Sequence, residues 1–231
     1  MNKLGIIIQA RSGSKRFPKK IFQIIGKKSV LEHVISRLKK IKLKKKIIIA
    51  TTKQNDDKII KKIANDNKCS YFFGSKLNVL ERFFSTAKKF KINPIVRICA
   101  DSPFIDPLII EKSLLEFKKG NFDLISNTIG QAYPKGMSVE IMTFDALTKA
   151  YKIAKTEDEK EHVTKIFYKN PKIFNIKCLK NSNKIAKYNF AVDYPEDLEY
   201  LNNIFNKLSE KGFKKNFSLR SLISVAKKIK Y

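Results

Sequence analysis

Apolar and polar positions follow two rhythms along the chain. Leu4 to Ala10 (LGIIIQA) is an apolar run without helical spacing, which reads as a buried parallel strand. Behind a polar loop from Arg11 to Lys20, Val30, Leu31, Val34, Ile35 and Leu38 recur on one helical face. Ser29 is placed to cap that helix, which runs to about Lys40. The alternation continues: strand Lys46–Ala50, helix about Asn55–Asn67, strand Ser70–Phe73, helix about Leu77–Phe90, strand Pro94–Cys99, helix Pro107–Lys119 opening on a proline, and strand Phe122–Ser126. Strands and helices joined by short connections predict parallel βαβ units with right-handed crossovers, hence an α/β fold with a mostly parallel central sheet.

After Asn127 the rhythm breaks. Gly130 to Gly136 reads as a loop and Met137–Met142 as an alternating strand. Phe144–Ala154 and Glu159–Tyr168 read as helices, Lys172–Lys177 and Tyr188–Val192 as strands, and Pro195–Lys207 and Leu219–Lys228 as the last helices. No repeat or low-complexity linker divides the chain, so one domain over 1–231 is expected.

Composition narrows the function classes. With 231 residues and 43% hydrophobic content, the chain can bury one sizeable core. No run of about 18 uncharged apolar residues occurs, so no membrane insertion is expected. The short apolar start, followed at once by a basic loop, does not read as a secretory signal. Three scattered cysteines, Cys69, Cys99 and Cys178, form neither a disulfide framework nor a metal knuckle, and suit a reducing cytoplasm. The net charge of +28 taken alone points to a polyanionic partner. Yet only six of the 49 basic residues are arginine, the residue suited to bidentate phosphate and base contacts, and the lysines are spread throughout. With no RNA-binding motif present, a solvated basic surface is expected and no specific nucleic-acid partner.

Three loops behind strands carry candidate chemistry, because ligands in open α/β sheets bind beyond the strands' carboxyl ends. The first, Gln9 to Lys20 (QARSGSKRFPKK), combines cations, hydroxyls and Gly13. It reads either as a phosphate cradle with a backbone anion nest or as a solvated basic loop, and it lacks the Walker pattern. The second holds Asp101, readable as a ligand for a hard cation or as a cap on the following turn. The third holds Asp193, readable as the same cation's second ligand or as a helix N-cap.

These residues also resemble a known family. The stretch IIIQARSGSKRFPKK is similar to the opening signature of the sugar-activating cytidylyltransferases, which include CMP-Kdo synthetases, CMP-sialic acid synthetases and the spore coat polysaccharide type, the last being the nearest. ATTKQNDDKII (50–60), FFGSKLNVLERF (72–83), VRICADSPFIDP (96–107), YPKGMSVEIMTFDAL (133–147), EHVTKIFYKNP (161–171) and FAVDYPEDLEYL (190–201) follow in order over nearly the whole chain. The resemblance implies a Rossmann-like nucleotidyltransferase fold, a CTP substrate and a sugar-acid acceptor. It implies that Arg11, Ser14, Arg16 and Lys20 sit on the triphosphate, with Gln9, Ala10 and Gly13 beside the nucleotide. Thr51, Thr52, Gly74, Ser75 and Arg82 would lie near base and ribose, and Asp101 and Asp193 would hold Mg2+. Arg11, Lys20, Asp101 and Asp193 are the expected catalytic set. Two positions depart from the family pattern: Lys19 stands where glycine is usual, and Asn78 where an acid is usual.

The acceptor pocket is expected within 130–180, which would also supply homodimer contacts. Tyr133, Lys135, Glu140, His162 and Thr164, with Arg97 on its strand, offer the donors, acceptors and cations that a sugar acid needs. Arg97 is equally readable as structural, and His162 as a packed helix residue. Three rivals stand beside this reading: a nucleotidyltransferase acting on a sugar 1-phosphate, a non-catalytic basic RNA-binding module, and a homologue that binds nucleotide without turnover.

Overall fold

The computed structural model describes residues 3–181, 185–213 and 216–229. In chain order it contains β1 (Lys3–Gln9), a small antiparallel hairpin of β2 (Ile24–Ile25) and β3 (Lys28–Ser29), α1 (Val30–Lys39), β4 (Lys46–Thr52), α2 (Lys58–Asp66), β5 (Ser70–Gly74), α3 (Val79–Phe90), β6 (Ile92–Cys99) and α4 (Pro107–Phe117). There follow β7 (Leu124–Ser126), β8 (Glu140–Met142), α5 (Phe144–Ile153), α6 (Glu157–Glu161), α7 (Lys165–Lys169), β9 (Ile176–Cys178), α8 (Pro195–Glu210) and α9 (Leu219–Ala226). Seven strands form one sheet in the order β5-β4-β1-β6-β8-β7-β9. Only β8 runs against its neighbours β6 and β7.

The apolar run of β1 is explained by its place. Helices cover both sides of the sheet, so Ile6, Ile7 and Ile8 are all fully buried. Ile6 and Ile8 face one core layer, with Leu31, Ile110 and Leu201, while Ile7 faces the other, with Phe83, Leu147 and Phe167. Each such side chain contributes roughly 1.5–3 kcal/mol of burial. The expected cap on α1 is a reciprocal box: the Ser29 hydroxyl accepts the Glu32 N–H at 3.3 Å, and the Glu32 carboxylate accepts the Ser29 N–H at 2.8 Å.

From β1 the chain steps to β4 and β5 on one side, then returns to β6 on the other. The strand order therefore reverses beside β1, and a crevice opens where β1 and β6 end. The strand expected over 172–177 forms only as the three residues of β9, and the chain's second half departs from expectation in two further places. The helix expected over 159–168 is split into α6 and α7. His162 takes a non-helical conformation between them, and Val163 turns fully into the core. The strand expected over 188–192 makes only an isolated bridge, Asn189 with Lys135. Its amides go to two different neighbours: Phe190 N–H to Lys135 at 2.9 Å and Val192 N–H to Asp101 at 2.9 Å. Gly136 permits that approach. It has φ +84, and a Cβ there would lie 2.4 Å from the Phe190 backbone.

Candidate active site

The crevice gathers the residues of the three loops. Lys20, at the end of the first loop, donates to Asp101 Oδ2 at 2.7 Å and to Asp193 Oδ1 at 2.9 Å. Arg16 reaches the same Asp193 oxygen at 2.6 Å and lies over the Tyr194 ring at 5.2 Å. Burial alone would lower the Lys20 pKa, but Asp101 and then Asp193 outweigh it, and the ammonium is held above its usual range. Burial would likewise raise the Asp193 pKa, but the Lys20 bond and charge, with Arg16 and Lys135, hold it below the usual carboxylate range.

Neither aspartate is used as a helix cap. Asp106 caps α4 by accepting the Leu108 N–H at 3.0 Å. Asp197 takes the Asp193 and Tyr194 N–H groups at 2.7 and 2.8 Å at the start of α8. Asp101 and Asp193 thus keep their carboxylates for the cleft. The backbone bond from Val192 to Asp101 holds the two loops side by side.

The neck of the first loop is knotted at Ser12. Its carbonyl accepts the N–H groups of Ser14 at 2.9 Å and Lys19 at 3.0 Å. Lys19 has φ 57, which explains why glycine suits this position: a side chain here carries a left-handed cost of about 1–2 kcal/mol. Gly13 sits at the loop's crown, where a Cβ would meet only the Gln54 side chain, at 3.5 Å. Among the described residues Arg11 reaches only Glu161, at 3.5 Å, with both side chains well exposed.

Beside the loop, β4 and β5 end in a polar recess. Thr51 and Thr52 are fully buried, and the Thr51 hydroxyl has no partner among the described residues. Gly74 is required there, because a Cβ would come within 2.7 Å of Arg82 Cγ. Arg82 is fully buried and donates to the Ser75 carbonyl, but its Nε and one Nη have no partner among the described residues. Burial, and after it nearby Arg11, lower its pKa to about 10 against the pull of Asp57 and Glu81. Asn78, in the place of the family's acid, caps α3 by accepting the Glu81 N–H at 2.8 Å.

The residues expected to hold the acceptor divide into four groups. Arg97 donates to Gln9 Oε1 from Nε at 3.1 Å and from an Nη at 2.9 Å, and its other Nη meets Glu140. The second Glu140 oxygen accepts the Tyr168 hydroxyl, which also bonds Ser126 at 2.9 Å. Arg97 and Glu140 therefore form an internally paired floor. Lys135 lies with the Asp193 segment through its backbone bond to Phe190 and its influence on Asp193. Tyr133 packs in the opposite core layer and borders a separate groove of about 1450 Å³ between α4 and α9. His162 is exposed beside Asp158, and Thr164 is buried at the start of α7. Ala10 pairs its N–H with Ala50 at 3.1 Å, and Ser14 turns its hydroxyl to the Phe17 N–H at 3.4 Å. Tyr168 and Asp57 also belong to the site's framework. Asp57 carries the ordinary sequence mark of a helix cap, and Tyr168 has no mark of its own.

A reversed-order α/β sheet with a basic loop and paired carboxylates at its switch point defines a nucleotide-handling cleft. The sequence profile of the cytidylyltransferase family matches residues 5–222, and the chain belongs to that family. It is similar to the uncharacterized protein MJ1063 of Methanocaldococcus jannaschii, 40% identical over 74% of this chain and 69% of that protein. It is also similar to the spore coat polysaccharide biosynthesis protein SpsF of Bacillus subtilis, 27% identical over 91% of this chain and 90% of that protein. Among solved structures, a cytidylyltransferase from Leptospira borgpetersenii superposes with a TM-score of 0.93 at 32% identity, covering 99% of this chain and 95% of that one. The Rossmann-like nucleotidyltransferase fold expected from the motifs is the fold observed.

Proposed function

We propose that this cytidylyltransferase transfers CMP from CTP to a hydroxyl of a sugar acid, Kdo-like or nonulosonic, for surface polysaccharide or glycoconjugate synthesis. The observation that carries the reading is the meeting of Lys20 and Arg16 with Asp101 and Asp193 at the β1/β6 crevice. In the reaction, the sugar oxygen forms a bond to the α-phosphorus. The bond from that phosphorus to the α–β bridging oxygen breaks, pyrophosphate leaves, and the hydroxyl proton passes to solvent. Arg11, Arg16 and Lys20 counter the triphosphate charge, which would otherwise repel the nucleophile, and hold the leaving group in line. Ser14 and the amides around Gly13 orient the phosphates, and the Arg82 and Thr51 groups that have no partner among the described residues are left to take base and ribose.

The donor set fits Mg2+. Asp101 and Asp193 offer oxygens that already share one cation position, the Lys20 ammonium, and Mg2+ takes one or two carboxylates with phosphate and water oxygens. When bound there, Mg2+ supplies Lewis-acid polarisation of the α-phosphate. Lys135, His162 and Thr164, with the Arg97–Glu140 floor behind them, line the acceptor side. The reading takes 1–231 as one nucleotidyltransferase domain that acts as a homodimer through 130–180.

The test is pyrophosphate release with CTP and magnesium against a panel of sugar acids and sugar 1-phosphates, with UTP, ATP and GTP as controls. Release with CTP and one sugar acid supports the proposal. Release with sugar 1-phosphates alone replaces the acceptor class. No release and no CTP binding sinks the reading.

A further inference from the structure

Asp57 stands at the start of α2, where an aspartate ordinarily caps the helix. Its side chain makes no cap bond. The carboxylate is fully buried and turns toward the first loop. Oδ1 accepts the Ser12 N–H at 2.8 Å, and Oδ2 accepts the Thr52 hydroxyl. No basic side chain among the described residues pairs with it. A buried carboxylate without an ion pair is costly unless hydrogen bonds compensate it, and bonds to a charged acceptor are stronger than those between neutral groups.

The place it grips gives those bonds a purpose. Ser12 is the knot of the loop: its carbonyl holds Ser14 N–H at 2.9 Å and Lys19 N–H at 3.0 Å. The Ser12 N–H held by Asp57 and the Ser12 carbonyl that holds Ser14 and Lys19 flank the same Cα, so tying the amide down restrains the residue on both sides, and the left-handed Lys19 turn that aims Lys20 into the cleft is held with it. A second tie runs in parallel, from Lys19 to Asp56 at 3.5 Å. Thr52 also accepts the Gln54 N–H at 3.4 Å, so the 54–57 turn is itself anchored to the end of β4.

We infer that Asp57 is a positioning residue for the phosphate loop: it touches no substrate, and it sets the affinity for the β- and γ-phosphates by holding Ser12. The inference rests on the triphosphate reading of that loop. The experiment compares wild type, Asp57→Ala, Asp57→Asn and Thr52→Val. Asparagine can still accept from Ser12 and bond Thr52, so it is the conservative rescue. Two readouts are taken: the ratio of CMP to CTP dissociation constants by calorimetry, and amide hydrogen exchange of residues 10–20 without ligand.

Asp57→Ala is expected to lose tenfold or more in CTP affinity with CMP affinity changed less than threefold. Its loop amides should exchange at least tenfold faster, and Asp57→Asn should recover most of both. Unchanged loop exchange and an unchanged CTP preference in Asp57→Ala would overturn the inference. If the wild type itself does not prefer CTP to CMP, the triphosphate reading fails, and exchange alone then decides whether Asp57 holds the loop. Should the alanine variant fail to fold, Thr52→Val, which removes one of the two bonds, is expected to show the same direction at a smaller size. No acceleration in that variant would count against the inference.

Discussion

At the ends of β1 and β6, Lys20 bridges Asp101 and Asp193 with all three side chains partly open to solvent, and Arg16 beside them is 55% exposed. One strand further along the sheet, Arg97 meets Glu140, whose side chain is 3% exposed, and the Glu140 oxygens are both taken, by Arg97 and Tyr168. Under the proposed reaction, the first cluster is one whose internal partners an incoming phosphate and cation would replace. The second is closed on itself: an arginine can only donate, so the Gln9 amide is held with its oxygen toward Arg97 and its NH2 group turned away. The bridging cations of the two clusters, Lys20 and Arg97, are about equally sheltered, and the difference lies in the carboxylates, which stay 20–28% exposed in the first cluster and are closed off at 3% in the second.

The comparison can be broken from either side. Asp101→Ala is expected to cut pyrophosphate release by roughly 10²–10³-fold, the usual size for one electrostatic contact in a transition state, with the melting temperature nearly unchanged. A variant that melts early would place Asp101 with the scaffold. Glu140→Leu should do the reverse. It strands a buried guanidinium, at about 3 kcal/mol, and lowers Tm by roughly 6–12 °C. Full stability in that variant would show that water already reaches Arg97.

Gly136→Ala tests the joint between the clusters. The left-handed backbone costs about 1–2 kcal/mol, and the new Cβ meets Phe190. Turnover should therefore fall further than stability explains, because the Asp193 segment shifts, and equal losses would argue against that coupling. The smallest effect is on pH. Burial holds the His33 pKa below 6.5, aided by Lys28 and Arg37 and opposed by the Ile25 carbonyl and Glu32. The unfolded chain therefore takes up a proton first as pH falls through about 6.5, and the folded state loses stability on the acid side. Thermal melts between pH 7.5 and 5.5 should show that slope, flattened in His33→Gln. A slope of equal size in the variant would remove His33 as its source.

Much of the first half was legible in the sequence, because a strand buried on both faces must be apolar throughout and a helix beside it must be striped. LGIIIQA and the Ser29 helix follow those demands closely. The second half was less so. β7, β8 and β9 have three residues each, too few for a period to register. The 188–192 run is apolar because it is buried, although it pairs with no strand along its length. The loop that bears Arg11 to Lys20 stood out by its charges and by family likeness. Asp57 did not, since an aspartate before a helix is ordinary and only its side-chain direction separates the two roles. The pairing of Arg97 with Gln9 and Glu140 joins positions 88 and 43 residues apart, a distance no local pattern encodes.

The bridge from Lys20 to Asp193 spans 173 residues of chain. At roughly 5–20 residues per second of synthesis, the carboxylate emerges about 10–35 seconds after the lysine that it will meet. The β1–β4–β5 core can assemble in that interval from what is already made, but the cleft cannot. Its completion waits on the 190–193 segment docking beside Asp101, so under the proposed reaction catalytic competence is acquired late in folding. A nascent chain with its first βαβ units in place has the frame of the enzyme without the means to act on a nucleotide.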